Sequence, residues 1–209
     1  MKNLFVILSV LGIVFFGLTA FHVIAAEKVM EQETVTTVTE QTNLVKTADN
    51  FIILFDSSSS MNEPYLNTGM SKLEAAKEIL KEKNKTLPDL GYNAGLYLLS
   101  NFKPIYMAQK YDREKFAAAL DQLPVKGSGA TLFVEGMHKL RGVLKGLSGK
   151  TAVFIFTDGF YKPTPGMKKP VEIAREIAGK HDVCFYVIST AKAAHQKEIL
   201  KTVASINEC

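Results

Sequence analysis

Tryptophan is absent from the 209 residues, and cysteine occurs twice, at Cys184 and Cys209. Two thiols exclude a disulfide-dense miniprotein and a four-thiolate zinc site. Seven prolines and 14 glycines are too few for a collagen-like or low-complexity chain. Charge of one sign is scarce as well. Lys and Arg number 25 against 21 Asp and Glu, a formal net charge of +4. They are interspersed, so no basic stripe argues for nucleic acid. A long hydrophobic run occurs once, at the N-terminus, which excludes a polytopic membrane protein. What remains is an ordinary globular balance, 47% hydrophobic and 22% charged.

After Met1-Lys2-Asn3, residues 4–26 carry no formal charge. This stretch reads as a secretory signal ending near Ala25-Ala26. Its length also suffices to span a bilayer, so an uncleaved anchor is the alternative. Either one sends the following chain out of the cytoplasm, to a periplasm or cell envelope. In residues 27–49 five acids face two lysines. The segment includes Glu33-Thr-Val-Thr-Thr-Val-Thr-Glu40, with little core material. It reads as a linker or stalk, a first edge strand being the alternative. Residues 50–209 then form one domain large enough to bury a core.

Phe51 to Phe55, Thr151 to Phe156 and Val183 to Ile188 are continuous apolar runs. Such runs belong to strands buried on both faces, as in a parallel sheet covered by helices. Tyr92 to Leu99 and Pro104 to Tyr111 lie four residues apart, too close for a parallel crossover, and predict an antiparallel hairpin. Pro104 places its second strand at an edge. Ser71-Lys72-Leu73-Glu74 is a capping box before a helix. Asp112 caps a second helix, and Leu132 to Leu147 carries an apolar helical stripe. Pro170 opens a fourth helix, and residues 193–206 predict a fifth. The expected fold is a three-layer α/β sandwich with a mostly parallel sheet and one antiparallel edge strand. Ligands in such folds bind beyond the carboxyl ends of the strands.

That rule points to Asp56 and Asp158, each following a buried strand. Asp56-Ser-Ser-Ser-Ser60 puts an acid and four hydroxyls on one loop. Residues two apart share a side locally, which groups Asp56, Ser58 and Ser60. Gly127-Ser-Gly-Ala-Thr131 brings another hydroxyl to the start of the third helix. Two carboxylates and three hydroxyls, with no His or Cys, are hard donors that suit Mg²⁺, with Mn²⁺ or Ca²⁺ behind it. Without a cation the two acids would repel each other.

Asp56-x-Ser58-x-Ser60, Gly129-Ala130-Thr131 and Thr157-Asp158-Gly159 together resemble the von Willebrand factor type A family and its metal-ion-dependent adhesion site. The resemblance covers about residues 48–207. It implies that Ser58, Ser60 and Thr131 hold the cation through hydroxyls, while Asp56 and Asp158 act mainly through bound water. It implies an open coordination position for a Glu or Asp carboxylate of a protein partner, hence metal-bridged adhesion without turnover. Two departures stand out. Phe133 occupies a place where the family often has a second Thr, which puts a bulky aromatic at the rim. The family also usually adds a further strand and helix after the last one here, so the far sheet edge is expected to be either short or completed by a partner.

Tyr65, Phe160 and Tyr161 are further rim candidates for ligand contact. His138, His181 and His195 share no spacing and read as surface histidines. Cys184 falls on a strand and Cys209 follows the last helix, so a disulfide between them is expected; a buried thiol with a frayed tail is the alternative. Two other functions compete. A phosphatase-like hydrolase would want a second acid where Ser58 stands, and no Gly-x-Ser-x-Gly elbow is present. A structural envelope subunit is the third reading.

Overall fold

The computed structural model describes residues 44–161, 163 and 165–207. The leader and most of the stalk lie outside them, as does Cys209. The described residues from Leu44 onward form one compact unit.

Five strands make one sheet: β1 (Asn50–Phe55), β2 (Asn93–Leu98), β3 (Pro104–Lys110), β4 (Thr151–Thr157) and β5 (Val183–Ser189), in the order β3-β2-β1-β4-β5. β1 pairs parallel with β2 and β4, and β4 pairs parallel with β5. β3 runs antiparallel to β2 at the edge, where Pro104 forfeits no interior ladder bond. β1 is buried along its whole length, which is why its sequence does not alternate.

The helices are α1 (Lys72–Thr86), α2 (Arg113–Asp121), α3 (Phe133–Leu144), α4 (Pro170–Ala178) and α5 (Ala194–Ala204). Alternate residues of β1 feed two cores. Phe51, Ile53 and Phe55 pack with Leu73, Ala76 and Leu80 of α1 and with Phe116 and Leu120 of α2. Ile52 and Leu54 pack with Met137 and Leu140 of α3, Ile173 and Ile177 of α4, and Leu200 and Val203 of α5. The predicted caps form. The Glu74 amide donates to Ser71 Oγ, and the Ser71 amide donates to Glu74 Oε2. Asp112 Oδ1 accepts from the Lys115 amide. A short 3-10 helix at Ser59–Asn62 is an element the apolar pattern does not announce.

The parallel register places Phe55 beside Phe156. The two central strands therefore end side by side, and the residues that follow them, Asp56 and Thr157-Asp158, share one end of the sheet. Among the described residues no helix is long and apolar enough to cross a membrane.

Candidate functional site

The ladder carries one step past β1, since the Asp56 amide donates to the Phe156 carbonyl at 2.8 Å. The chain then turns back over the strand ends. The Ser58 amide donates to Asp56 Oδ1 at 2.9 Å, and the 3-10 helix follows. The loop before α3 is bound to this turn from the side. Ser128 donates its amide to the Ser57 carbonyl, and Ser59 donates its amide to the Gly129 carbonyl. Asn62 clamps Gly127 in both directions: Nδ2 to the glycine carbonyl at 2.8 Å, and the glycine amide to Oδ1 at 2.7 Å. The approach is so close that a Cβ at Gly127 would lie 2.1 Å from the Ser58 carbonyl oxygen.

These contacts bring the expected oxygens together. Thr131 Oγ1 donates to Ser58 Oγ at 2.8 Å. Ser58 Oγ and Ser60 Oγ lie 3.1 Å apart. Ser60 Oγ donates to Asp158 Oδ1 at 3.2 Å. Asp56 sits behind this row, buried, with Oδ2 accepting from Thr157 Oγ1 at 2.6 Å. Burial pushes the Asp56 carboxyl above its ordinary range. Hydrogen bonds from Thr157 and Ser58 pull it back, and the Asp158 charge adds to the upward push.

Asp158 is also buried, and its other oxygen has a partner that sequence patterns did not single out. Lys72 Nζ donates to Asp158 Oδ2 at 2.8 Å and to Glu63 Oε2 at 2.8 Å. Lys72 is 2% exposed. Burial lowers the pKa of its ammonium, but the two carboxylates outweigh burial and hold it above the ordinary lysine value. One buried carboxylate, Asp158, thus faces the buried ammonium, and its other partner, Glu63, has a side chain 55% exposed.

The donor set fits a small divalent cation. Neighbouring oxygens around octahedral Mg²⁺ at about 2.1 Å lie roughly 3 Å apart, and the row from Thr131 to Asp158 has spacings of 2.8, 3.1 and 3.2 Å. No group of three or more His, Cys, Asp or Glu residues gathers among the described residues. Any cation here is therefore held largely by hydroxyl oxygens.

A family model for the von Willebrand factor type A domain matches residues 51–160. The chain belongs to this family. Solved type A folds resemble it closely enough to support the fold. BatB of Bacteroides thetaiotaomicron is 20% identical with a TM-score of 0.51, covering 67% of this chain and 65% of its own. An aerotolerance-related membrane protein of Bacteroides fragilis is 13% identical with a TM-score of 0.57, covering 75% and 87%. Manganese-loaded TRAP protein of Plasmodium vivax is 16% identical with a TM-score of 0.56, covering 76% and 63%. The chain thus spans just under two thirds of BatB and of TRAP. No curated protein sequence matches it.

Around this type A site the rim differs from expectation in two places. Phe133 borders the adjoining cavity of about 580 Å³, yet it is 2% exposed and packs in the α3 core. It opens α3 on the helix's buried side, so the aromatic fills core instead of standing on the rim. Leu132, 41% exposed, is the apolar residue the loop shows to solvent. Tyr65 lines a different cavity, with Thr190 and Lys197. Phe160, 55% exposed, and Tyr161 do line the cavity beside Ser58, Ser60 and Thr131. Cys184 is buried on β5 and is not free. Besides Lys72, sequence reasoning missed Thr157 as the holder of Asp56, and Asn62 and Gly127 as the clamp. A lysine at the first position of a helix, where it opposes the dipole, was the available signal for Lys72.

Proposed function

We propose that this type A domain is an exported protein-binding module that takes a divalent cation, Mg²⁺ first, at Asp56, Ser58, Ser60, Thr131 and Asp158. The observation that carries the reading is the row of hydroxyls from Thr131 through Ser58 to Ser60, ending on the Asp158 carboxylate. Ser58, Ser60 and Thr131 supply oxygens directly. Asp56 and Asp158 contribute charge from behind. When bound, the cation supplies an electrophilic centre to which a Glu or Asp carboxylate of a protein partner attaches. The manganese in the name of the TRAP structure supports the same chemistry. The cavity lined by Phe160, Tyr161 and Leu132 gives the partner apolar surface beside the charge.

The activity is binding and not turnover: among the described residues no His or Cys accompanies the hydroxyls, and Ser58 stands where a phosphatase-like enzyme would want an acid. Residues 4–26 direct export or anchor the chain in the envelope, in keeping with the membrane protein named among its structural neighbours. Cys184, which is not free, bridges to Cys209, as a non-reducing mass measurement will show. Calorimetric titration of the purified chain with Mg²⁺ and Mn²⁺ tests the site. Saturable binding lost in Thr131→Ala and Ser58→Ala is expected. A folded parent that takes up neither ion refutes it. Partner capture should be abolished by chelator and by the same substitutions.

A further inference from the structure

Lysine is an unfavourable choice at the first position of a helix, where the dipole already presents positive charge. It is also a costly residue to bury. Lys72 does both, so something local must offset the cost. Its side chain runs inward to Asp158 and Glu63. Its backbone amide donates to the Glu63 carbonyl at 2.9 Å. The capping box at Ser71 and Glu74 fixes the helix start from which it reaches. The ammonium is therefore held between two carboxylates, and one of them is a member of the cation site.

We propose that Lys72 is the resident counter-ion of Asp158: a positioning residue that keeps the site assembled without a divalent cation and holds cation affinity down. This rests on the cation-binding reading above and adds its regulation. Asp158 has both oxygens engaged, Oδ1 by Ser60 and the Phe160 amide and Oδ2 by Lys72. A divalent cation arriving at Ser58, Ser60 and Thr131 meets a carboxylate already neutralised. It also meets the repulsion of an ammonium that screening by water does not reach. Occupancy is thereby tuned to cation concentration instead of being permanent. Glu63 shares the ammonium and, being half exposed, is the weaker claim on it.

The test compares Lys72→Met, which keeps the apolar stem and removes the charge, with Lys72→Arg, Glu63→Gln and Lys126→Met in the full chain. Lys126 is exposed, so its variant controls for the loss of a solvated charge. Two quantities are read: the melting temperature in chelator, and the Mg²⁺ dissociation constant by calorimetry. Lys72→Met should melt lower in chelator, bind Mg²⁺ on the order of tenfold more tightly, and gain a larger melting shift from Mg²⁺ than the parent. Lys72→Arg should stay near the parent, and Lys126→Met within about twofold of it. Should Lys72→Met fold only when Mg²⁺ is supplied, the cation has replaced the ammonium and the proposal stands. If it does not fold in either condition, Glu63→Gln decides: weaker Mg²⁺ binding supports the proposal, because Lys72 then serves Asp158 alone, and unchanged or tighter binding overturns it. A folded Lys72→Met with parental or weaker Mg²⁺ affinity also overturns it, while the cation site survives. If neither parent nor variants bind Mg²⁺ or Mn²⁺, the cation reading itself fails and takes this inference with it.

Discussion

Gly127→Ala tests whether the two loops of the site are packed to contact or merely adjacent. The added Cβ would stand 2.1 Å from the Ser58 carbonyl oxygen, 3.0 Å from the Ser58 carbonyl carbon and 3.2 Å from the Ser57 carbonyl oxygen. All three are backbone atoms, so no side chain can swing away. Real Cβ contacts below 3.0 Å essentially do not occur, and one loop must retreat by about 1 Å. That displacement carries the Asn62 clamp, at 2.7 and 2.8 Å, beyond hydrogen-bond range, and Thr131 Oγ1 with it. Overpacking costs about 1–3 kcal/mol, and each lost bond about 1 kcal/mol more. With three bonds lost, a destabilisation of roughly 4–6 kcal/mol follows. Two other glycines calibrate the result. Gly142, exposed within α3, has nothing within 4 Å of its Cβ position, so Gly142→Ala should stabilise by up to about 1 kcal/mol. Gly129 has equal space but a φ of +73°, and Gly129→Ala should cost about 1 kcal/mol through backbone strain. Urea unfolding in chelator measures all three, and Mg²⁺ calorimetry shows whether the site survives. A Gly127→Ala variant within about 0.5 kcal/mol of the parent, with cation binding intact, would refute the packing argument.

Other expectations rest on single contacts. Thr157→Val keeps shape but leaves Asp56 Oδ2 without its 2.6 Å donor; a loss of about 1–3 kcal/mol is expected in denaturant unfolding. Leu140→Ala opens the fully buried α3 core and should cost about 2–5 kcal/mol by the same measurement. At Asp112 the hydrogen bond from the Lys115 amide lowers the carboxyl below its ordinary 3.8. A folded pKa below the unfolded one stabilises above about pH 4 and is lost as pH falls through the folded value. The stability gap between the parent and Asp112→Ala should therefore hold from pH 5 to 8 and close in acid. A gap that persists at pH 2 would place the effect elsewhere.

The strands were legible because burial on both faces removes alternation: Phe51 to Phe55 has one physical reading, and β1 fulfils it. Ser71 and Pro170 marked helix starts because orphan amides and a missing N–H have few solutions. The oxygen row was legible because strand ends in a parallel sheet converge on one edge, so residues a hundred positions apart become neighbours. Phe133 was misread for a reason of the same kind. Its place in a motif said rim, but the direction of a side chain at a helix start is set by the core stripe of Val134, Met137 and Leu140 that follows it. Lys72 went unread because the capping box explained its neighbourhood without it, and a buried lysine announces itself only once its partners are known. Tyr65 was placed by nearness in sequence to the serine loop, while the 3-10 helix carries the chain away to another cavity.

The site stands on three foundations of unequal strength. Asp56 and Asp158 extend from adjacent central strands that are buried at every position but Phe154. Ser58 and Ser60 rest on that ladder through the Asp56 turn. Thr131 rests on neither: its loop is held by the Asn62 clamp and two amide bonds, and it leads into a helix whose first turn has no side-chain cap. Local opening begins where buried apolar contacts are few, which makes the loop from Gly127 to Thr131 the first part of the site to come loose. A cation bound by Thr131 as well as the serines would add a bond across that weakest joint. Binding would then tighten the loop that lines the neighbouring cavity with Leu132, and the surface offered to a partner would change with it. Such coupling requires no large movement, only that the strand ends are fixed in advance and the threonine loop is not.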